Sequence, residues 1–73
     1  MTKFQNYDLV RVVRIPNPLT NPDSQVRRPR VGDIGAIVMV YDSPTEGYSV
    51  EAVAADGSTK WLLDFGPEDL ARV

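Results

Sequence analysis

Arginine is concentrated in one short stretch of this chain, where Arg27, Arg28 and Arg30 surround a single proline. Guanidinium groups hold carboxylates and phosphates through paired hydrogen bonds, so such a cluster can grip an anionic group. Three interpretations stay open from the residues alone: a solvated loop, docking of an acidic protein, and contact with nucleic acid. The cluster is therefore the first candidate binding site.

Aromatic side chains are the second kind of candidate. Trp61 is the only tryptophan of the chain, and Tyr41 and Tyr48 are available beside it. We expect Trp61 to be the central packing residue, with its indole N–H bonded to a backbone carbonyl. The alternative is that Trp61 and Tyr41 contact a partner, because interfaces favour tryptophan, tyrosine and arginine. Together with Tyr48 they would form an aromatic groove, on which nucleic-acid bases can also stack.

Residues for catalysis are scarce. The chain has no histidine and no cysteine, which removes the commonest general base, thiolate zinc ligands and Ser-His or Cys-His pairs. Asp64, Glu68 and Asp69 are the one acidic group suited to acid–base or hard-metal chemistry. Glu68 and Asp69 fit better in the first turn of a short helix, and Asp33 fits a hydrogen bond to its own turn. We predict no catalytic residue, no metal site and no cofactor.

Size and charge narrow the function further. The 73 residues suffice for one small domain whose core is marginal, which favours docking or oligomerisation. A net charge of −2 and a pI near 4.8 argue against a sequence-independent nucleic-acid binder. Residues 1–30 carry six basic and two acidic side chains, whereas residues 31–73 carry two basic and eight acidic ones. We expect a mixed soluble surface, or alternatively a basic loop opposite an acidic face that docks a protein.

Hydropathy gives the expected location. The sequence contains no apolar run of the length that a signal peptide or a bilayer-spanning helix requires. We therefore expect a soluble, cytoplasmic protein with no membrane partner.

Alternating apolar residues and turn signals predict an all-β fold that positions these candidates. A proline-rich loop over about residues 15–31 carries the arginine cluster, residues 66–70 predict a 3₁₀ turn, and an Asp-Gly pair at 56–57 predicts a type I′ hairpin. One domain over residues 1–73, a small five-stranded SH3-like barrel, accounts for the pattern. The predicted strands cover residues 7–14, 36–41, 48–54, 59–65 and 71–73.

The second predicted strand has more apolar residues than one buried face needs. Residues 36–41 are all apolar or aromatic, so alternation does not decide which face is buried. A β-bulge near Gly32 and Gly35, or a second face that is buried in an oligomer, accounts for this excess.

Four short motifs resemble a known pattern across nearly the whole chain. They are Tyr-Asp-Leu-Val-Arg-Val at 7–12, Gly-Asp-Ile-Gly-Ala-Ile-Val at 32–38, Tyr-Ser-Val-Glu at 48–51 and Phe-Gly-Pro-Glu-Asp-Leu at 65–70. Together these motifs resemble a family of uncharacterised small bacterial SH3-like domains. The same skeleton is similar to the stromal SH3-like subunit of photosystem I, the variable chain of ferredoxin-thioredoxin reductase and the barrel of the nitrile hydratase β-subunit. In those proteins the barrel supports or docks a catalytic or electron-carrying partner, so the resemblance implies an accessory role.

A second resemblance concerns residues 44–51, the Gly-Ser pair at 57–58 and the end of the chain at 70–73. These segments are similar to the plasmid-borne type II dihydrofolate reductases, which are tetramers of SH3-like barrels that bind folate and NADPH in a central pore. The pore-lining Val-Gln-Ile-Tyr run of that family is absent, because residues 59–62 read Thr-Lys-Trp-Leu here. The catalytic surface therefore does not carry over.

The sequence thus predicts a non-enzymatic binding or accessory module that engages a protein partner or a second copy of itself. Arg27, Arg28 and Arg30 are the predicted docking residues, and Trp61 and Tyr41 are the predicted aromatic contacts. The alternatives are a nucleic-acid-binding SH3-like barrel and a tetrameric enzyme similar to type II dihydrofolate reductase.

Overall fold

The computed structural model describes residues 2–16 and 28–73. Within these ranges the chain forms five strands and one short 3₁₀ turn, which confirms the all-β prediction and its element order. The elements are β1 (Leu9–Val12), β2 (Ile34–Tyr41), β3 (Gly47–Val53), β4 (Thr59–Phe65), the 3₁₀ turn (Pro67–Asp69) and β5 (Leu70–Arg72).

The strands form one antiparallel sheet in the order β4-β3-β2-β1-β5. Three consecutive strands, β2 to β4, are therefore neighbours, whereas β1 is inserted between β2 and the C-terminal β5. The Cα radius of gyration is 11.3 Å, as expected for a compact chain of this length. Closure into an SH3-like barrel stays a prediction.

One face of the curled sheet forms the core. Along β1, β3 and β4, buried side chains alternate with exposed or half-buried ones, as period-two strands require. Val10 and Val12 point into the core, and Arg11 between them is exposed. The fully or almost fully buried apolar residues are Phe4, Val10, Val12, Ile37, Tyr48, Val50, Ala52, Trp61, Leu63, Phe65 and Leu70.

The N-terminal segment closes one end of this core. Phe4 is buried and meets the Tyr48 ring edge-on, with 5.3 Å between ring centroids. The Tyr48 hydroxyl accepts the backbone N–H groups of Lys3 at 2.8 Å and Phe4 at 3.0 Å, and it donates to the Glu46 carboxylate. A segment outside the sheet is thereby fixed to the beginning of β3.

Three predicted boundaries or turns are corrected. The first strand is shorter than residues 7–14, because Tyr7 adopts a positive φ of 74° before it, and Val13 and Arg14 donate their N–H groups to the Asp69 carbonyl after it. The last strand lies one residue earlier than predicted, at Leu70–Arg72. The proline-rich loop lies partly outside the described residues, at 17–27, and its remaining part contains no strand.

The hairpin turn after β3 differs from the predicted type I′ turn. Type I′ requires positive φ at both central residues, whereas Gly57, at +90°, is the only residue of this turn with positive φ. The Gly57 N–H instead donates to the Ala54 carbonyl at 2.9 Å. Asp56 caps the turn through the Ser58 N–H and hydroxyl, at 2.9 and 2.7 Å. A register shift between Ala52 and Val53 lies next to this turn.

A β-bulge, one of the two explanations that the sequence offered for the apolar excess of the second strand, lies within β2. The pairing register of β2 with β3 changes between Ile37 and Met39, around the third residue after Gly35. This bulge turns the second half of the strand relative to the first. Gly35 itself lies against β3: a Cβ at this position would stand 2.7 Å from Val50 Cγ1 and 2.8 Å from the Glu51 carbonyl oxygen. Glycine is required here for close approach of the two strands.

Candidate binding site

A cleft of about 670 Å³ opens at the end of the sheet where β2 and β4 begin. Arg28 and Arg30 reach it from the segment before β2, Asp33 comes from the turn into β2, and Lys60 and Trp61 come from β4. Among the described residues, three cations and one carboxylate thus line the cleft. The cleft is basic although the chain as a whole is acidic.

Asp33 organises this cleft. Its Oδ2 accepts the backbone N–H of Arg30 at 3.0 Å and the indole N–H of Trp61 at 3.2 Å. The Asp33 N–H donates in return to the Arg30 carbonyl at 3.0 Å. One carboxylate therefore fixes the backbone of the basic segment to the central core residue, as the predicted bond between Asp33 and its turn implies.

The cations are open to an incoming anion. Arg28 and Arg30 are exposed and Lys60 is half-buried, while Pro29 between the two arginines is buried and anchors the segment. Within residues 2–16 and 28–73, the carboxylate ion pairs belong to Arg14 and Arg72, and none involves these three cations. Arg27, the third predicted docking residue, lies outside the described residues.

Trp61 is the core residue that the sequence predicts, with 1% of its surface exposed. It packs against Phe65 with ring centroids 5.7 Å apart. The prediction that its indole N–H bonds to a backbone carbonyl is wrong, because the N–H donates to the Asp33 carboxylate. Trp61 supports the cleft from inside and offers almost no surface of its own as a contact.

The predicted aromatic groove does not form. Tyr48 is buried beneath the N-terminal segment, and Tyr41 lies opposite Gly47, at the other end of the sheet from the Trp61–Ala52 pair. Tyr41 is 40% exposed, and its hydroxyl lies 3.0 Å from Ser49 Oγ. The structure thus places Tyr41 apart from the cationic cleft.

The acidic residues near the 3₁₀ turn have structural partners. Asp69 is buried, accepts the Gly66 N–H at 3.0 Å and receives Arg14 Nε at 2.8 Å. Glu68 lies 3.6 Å from the same arginine, and Asp64 accepts the Ser49 hydroxyl at 2.6 Å. In the described part of the chain no three metal-ligating side chains come together.

Shifted pKa values occur away from the cleft. Burial, and then the hydrogen bond to Glu46, raise the pKa of Tyr48 above its ordinary value of 10.0. The hydrogen bond from Tyr48 lowers the pKa of Glu46, with the Lys3 N–H adding to the effect. Hydrogen bonds from the Ser58 hydroxyl and N–H lower the pKa of Asp56. All three shifts follow from structural bonds, so they do not indicate an acid–base site.

Lys60 is the residue of the cleft that sequence reasoning missed. It lies thirty positions from Arg30, and only the placement of β4 next to the turn into β2 brings the two together. Its position directly before Trp61 indicates only that the two side chains point to opposite faces of β4, so no local signal placed it beside Arg30.

Comparison of the chain with protein-family models, with curated proteins and with solved structures found no match. The described residues include no helix with the length and apolar character to cross a bilayer. The site must therefore be interpreted from its own chemistry.

Proposed function

We propose that this protein is a small non-enzymatic binding module that docks an acidic segment of a protein partner in the cationic cleft. The observation that carries the proposal is the convergence of Arg28, Arg30 and Lys60 on one cleft, with a single carboxylate between them. Guanidinium and ammonium groups without a carboxylate partner in the described residues are suited to bind carboxylates of another chain.

The surroundings of the cleft favour a protein over nucleic acid. Binding of single strands combines phosphate contacts with exposed aromatic rings on which bases stack. Here Trp61 is buried and Tyr41 lies at the far end of the sheet. The net charge of −2 also weakens a long phosphate track, whereas a short acidic peptide needs only the local cluster.

The backbone of the cleft is fixed before any ligand arrives. Asp33 holds the Arg30 N–H and the Trp61 indole together, so little backbone ordering has to accompany binding. A preorganised site loses less conformational entropy on association. This supports a docking role for the cleft and uses no catalytic group.

The test is titration of the full chain with a short peptide of alternating glutamate and serine, followed by calorimetry. We expect binding that weakens as salt rises, and a loss of about 10- to 100-fold in Arg28→Ala/Arg30→Ala, since a hydrogen bond to a charged group contributes about 1.5–3 kcal/mol. Arg11→Gln is the matched control, because it removes one exposed positive charge on β1, away from the cleft. Arg27→Ala tests the remaining predicted docking residue.

Two results would overturn the proposal. One is equal peptide affinity for the wild type and the double variant. The other is tighter binding of a single-stranded DNA oligomer of similar charge, which would favour the nucleic-acid alternative.

A further inference from the structure

The outer face of the sheet is unusually apolar for a chain of this size. Five aliphatic residues on it or at its ends are between 42 and 61% exposed: Leu9, Ile34, Val53, Leu62 and Val73. Isolated exposed apolar residues are ordinary, but a contiguous patch of them marks an interaction surface.

Strand register places these apolar residues in one row across the sheet, on both sides of the charged Glu51. Leu9 lies opposite Ala36, Ala36 opposite Glu51, and Glu51 opposite Leu62, in a row that crosses four strands. Val73 extends the row on the other side through its N–H to the Leu9 carbonyl. The small side chain of Ala36 stands at the centre of this row, so another flat surface can approach closely there.

Two opposite charges flank the centre of the face. Arg11 on β1 lies opposite Ile34, and Glu51 on β3 lies opposite Ala36, so each stands one strand away from β2. Neighbouring strands are about 4.8 Å apart, which separates the two by roughly 10 Å across the sheet. Glu51 accepts the Thr59 hydroxyl at 2.8 Å, and no ion pair joins it to Arg11 within the described residues.

We propose that a second copy of this chain covers the outer face in a two-fold symmetric dimer. The two-fold axis lies in the plane of the interface and crosses β2 between Ile34 and Ala36. It brings Arg11 of each chain opposite Glu51 of the second copy. The same face is then self-complementary, as an isologous interface requires. Two reciprocal ion pairs form at the sides of an aliphatic centre.

The exposed area fits this occupant. The five half-exposed aliphatic side chains present roughly 100 Å² each, or about 500 Å² together. Ala36, Ala71, Arg11 and Glu51 enlarge this area towards the roughly 600 Å² per partner at which specific interfaces begin. The cationic cleft lies beside this face, at the end of the sheet, and none of its three cations belongs to the proposed contact.

The oligomeric state tests this inference. Sedimentation equilibrium is expected to give twice the 8.1 kDa of one chain, and Ile34→Glu is expected to give the monomer. Val31→Glu is the matched control, because Val31 is also an exposed aliphatic residue but precedes β2 and lies outside the sheet. It is expected to remain a dimer.

A charge exchange tests the symmetry even where Ile34→Glu fails to fold. Arg11→Glu and Glu51→Arg are each expected to weaken dimerisation by about tenfold, since like charges then face each other twice. The double variant Arg11→Glu/Glu51→Arg is expected to recover the wild-type dissociation constant within a factor of about three. A wild type that stays monomeric or forms larger assemblies would overturn the inference, as would a double variant no tighter than the weaker single one.

Discussion

The hydroxyl oxygen of Tyr48 joins the N-terminal segment to β3, and the effect of its removal on stability can be worked out from its hydrogen bonds. In Tyr48→Phe the ring keeps its edge-on contact with Phe4, but both accepted N–H groups lose their partner. The Lys3 N–H still has the Glu46 carboxylate at 2.9 Å. The Phe4 N–H, which lies in a buried bond, has no second acceptor among these contacts.

The loss therefore corresponds to one buried unsatisfied donor and not to two. Such a group costs about 1–3 kcal/mol. A folded domain has roughly 0.05–0.15 kcal/mol of stability per residue, or about 4–11 kcal/mol for a chain of this length. We expect Tyr48→Phe to lower the free energy of unfolding by about 1–3 kcal/mol, a large part of the total, while the sheet itself is retained.

Urea denaturation followed by the fluorescence of Trp61, the only tryptophan, measures this change. Tyr41→Phe is the matched control, because it deletes the same atom from an exposed hydroxyl bonded to Ser49. We expect the control to change stability by no more than about 0.5 kcal/mol. Equal effects of the two variants would refute the argument, since burial of the Phe4 N–H is the only feature that separates them in this reasoning.

Three further predictions concern packing, capping and pH. Gly35→Ala is expected to lower the free energy of unfolding by about 1–3 kcal/mol, because its new Cβ would overlap β3. Gly47→Ala is the control with a smaller expected loss, because its Cβ would stand 3.7 Å from the nearest atom, and thermal unfolding compares the two variants. Asp69→Ala is expected to cost about 1–3 kcal/mol by leaving the Gly66 N–H without its acceptor. Arg14→Ala is expected to cost a similar amount in the same measurement, because it leaves the buried Asp69 carboxylate without its cation. Because the pKa of Tyr48 is raised above 10.0 in the folded state, its neutral hydroxyl stabilises the fold below pH 10.0, and this contribution is lost as the pH rises through the folded-state pKa. In urea denaturation at increasing pH, the free energy of unfolding of the wild type should therefore approach that of Tyr48→Phe.

Local patterns were sufficient to predict most of the sheet. The alternation around Val10 and Val12, the apolar run after Gly35 and the parity of Trp61 each depend on neighbours within a few residues, and the structure confirms all three. The 3₁₀ turn was also predictable, because Pro67 and the acidic residues after it mark its beginning. Strand type and existence follow from such short-range signals.

Contacts between distant parts of the chain were not predictable in this way. Phe4 lies 44 positions from Tyr48, and nothing near it in sequence indicates that it is a core residue. The partner of the Trp61 indole is 28 positions away, so the sequence could predict that the N–H needs an acceptor but not that Asp33 supplies it. For the same reason Lys60 was missing from the predicted site, while the adjacent arginines were found.

The two proposed surfaces are neighbours on one strand, and this gives the dimer a consequence for binding. Lys60 belongs to the cleft and Leu62 to the apolar face, and they lie two residues apart on β4, about 7 Å. A two-fold dimer therefore carries two cationic clefts beside its interface. A partner with two acidic segments can then bind both clefts, and its affinity exceeds that of one segment through effective concentration. Ile34→Glu, which separates the copies, should abolish this gain, so that the affinity of this variant for the two-segment partner falls to its own affinity for a single short acidic peptide.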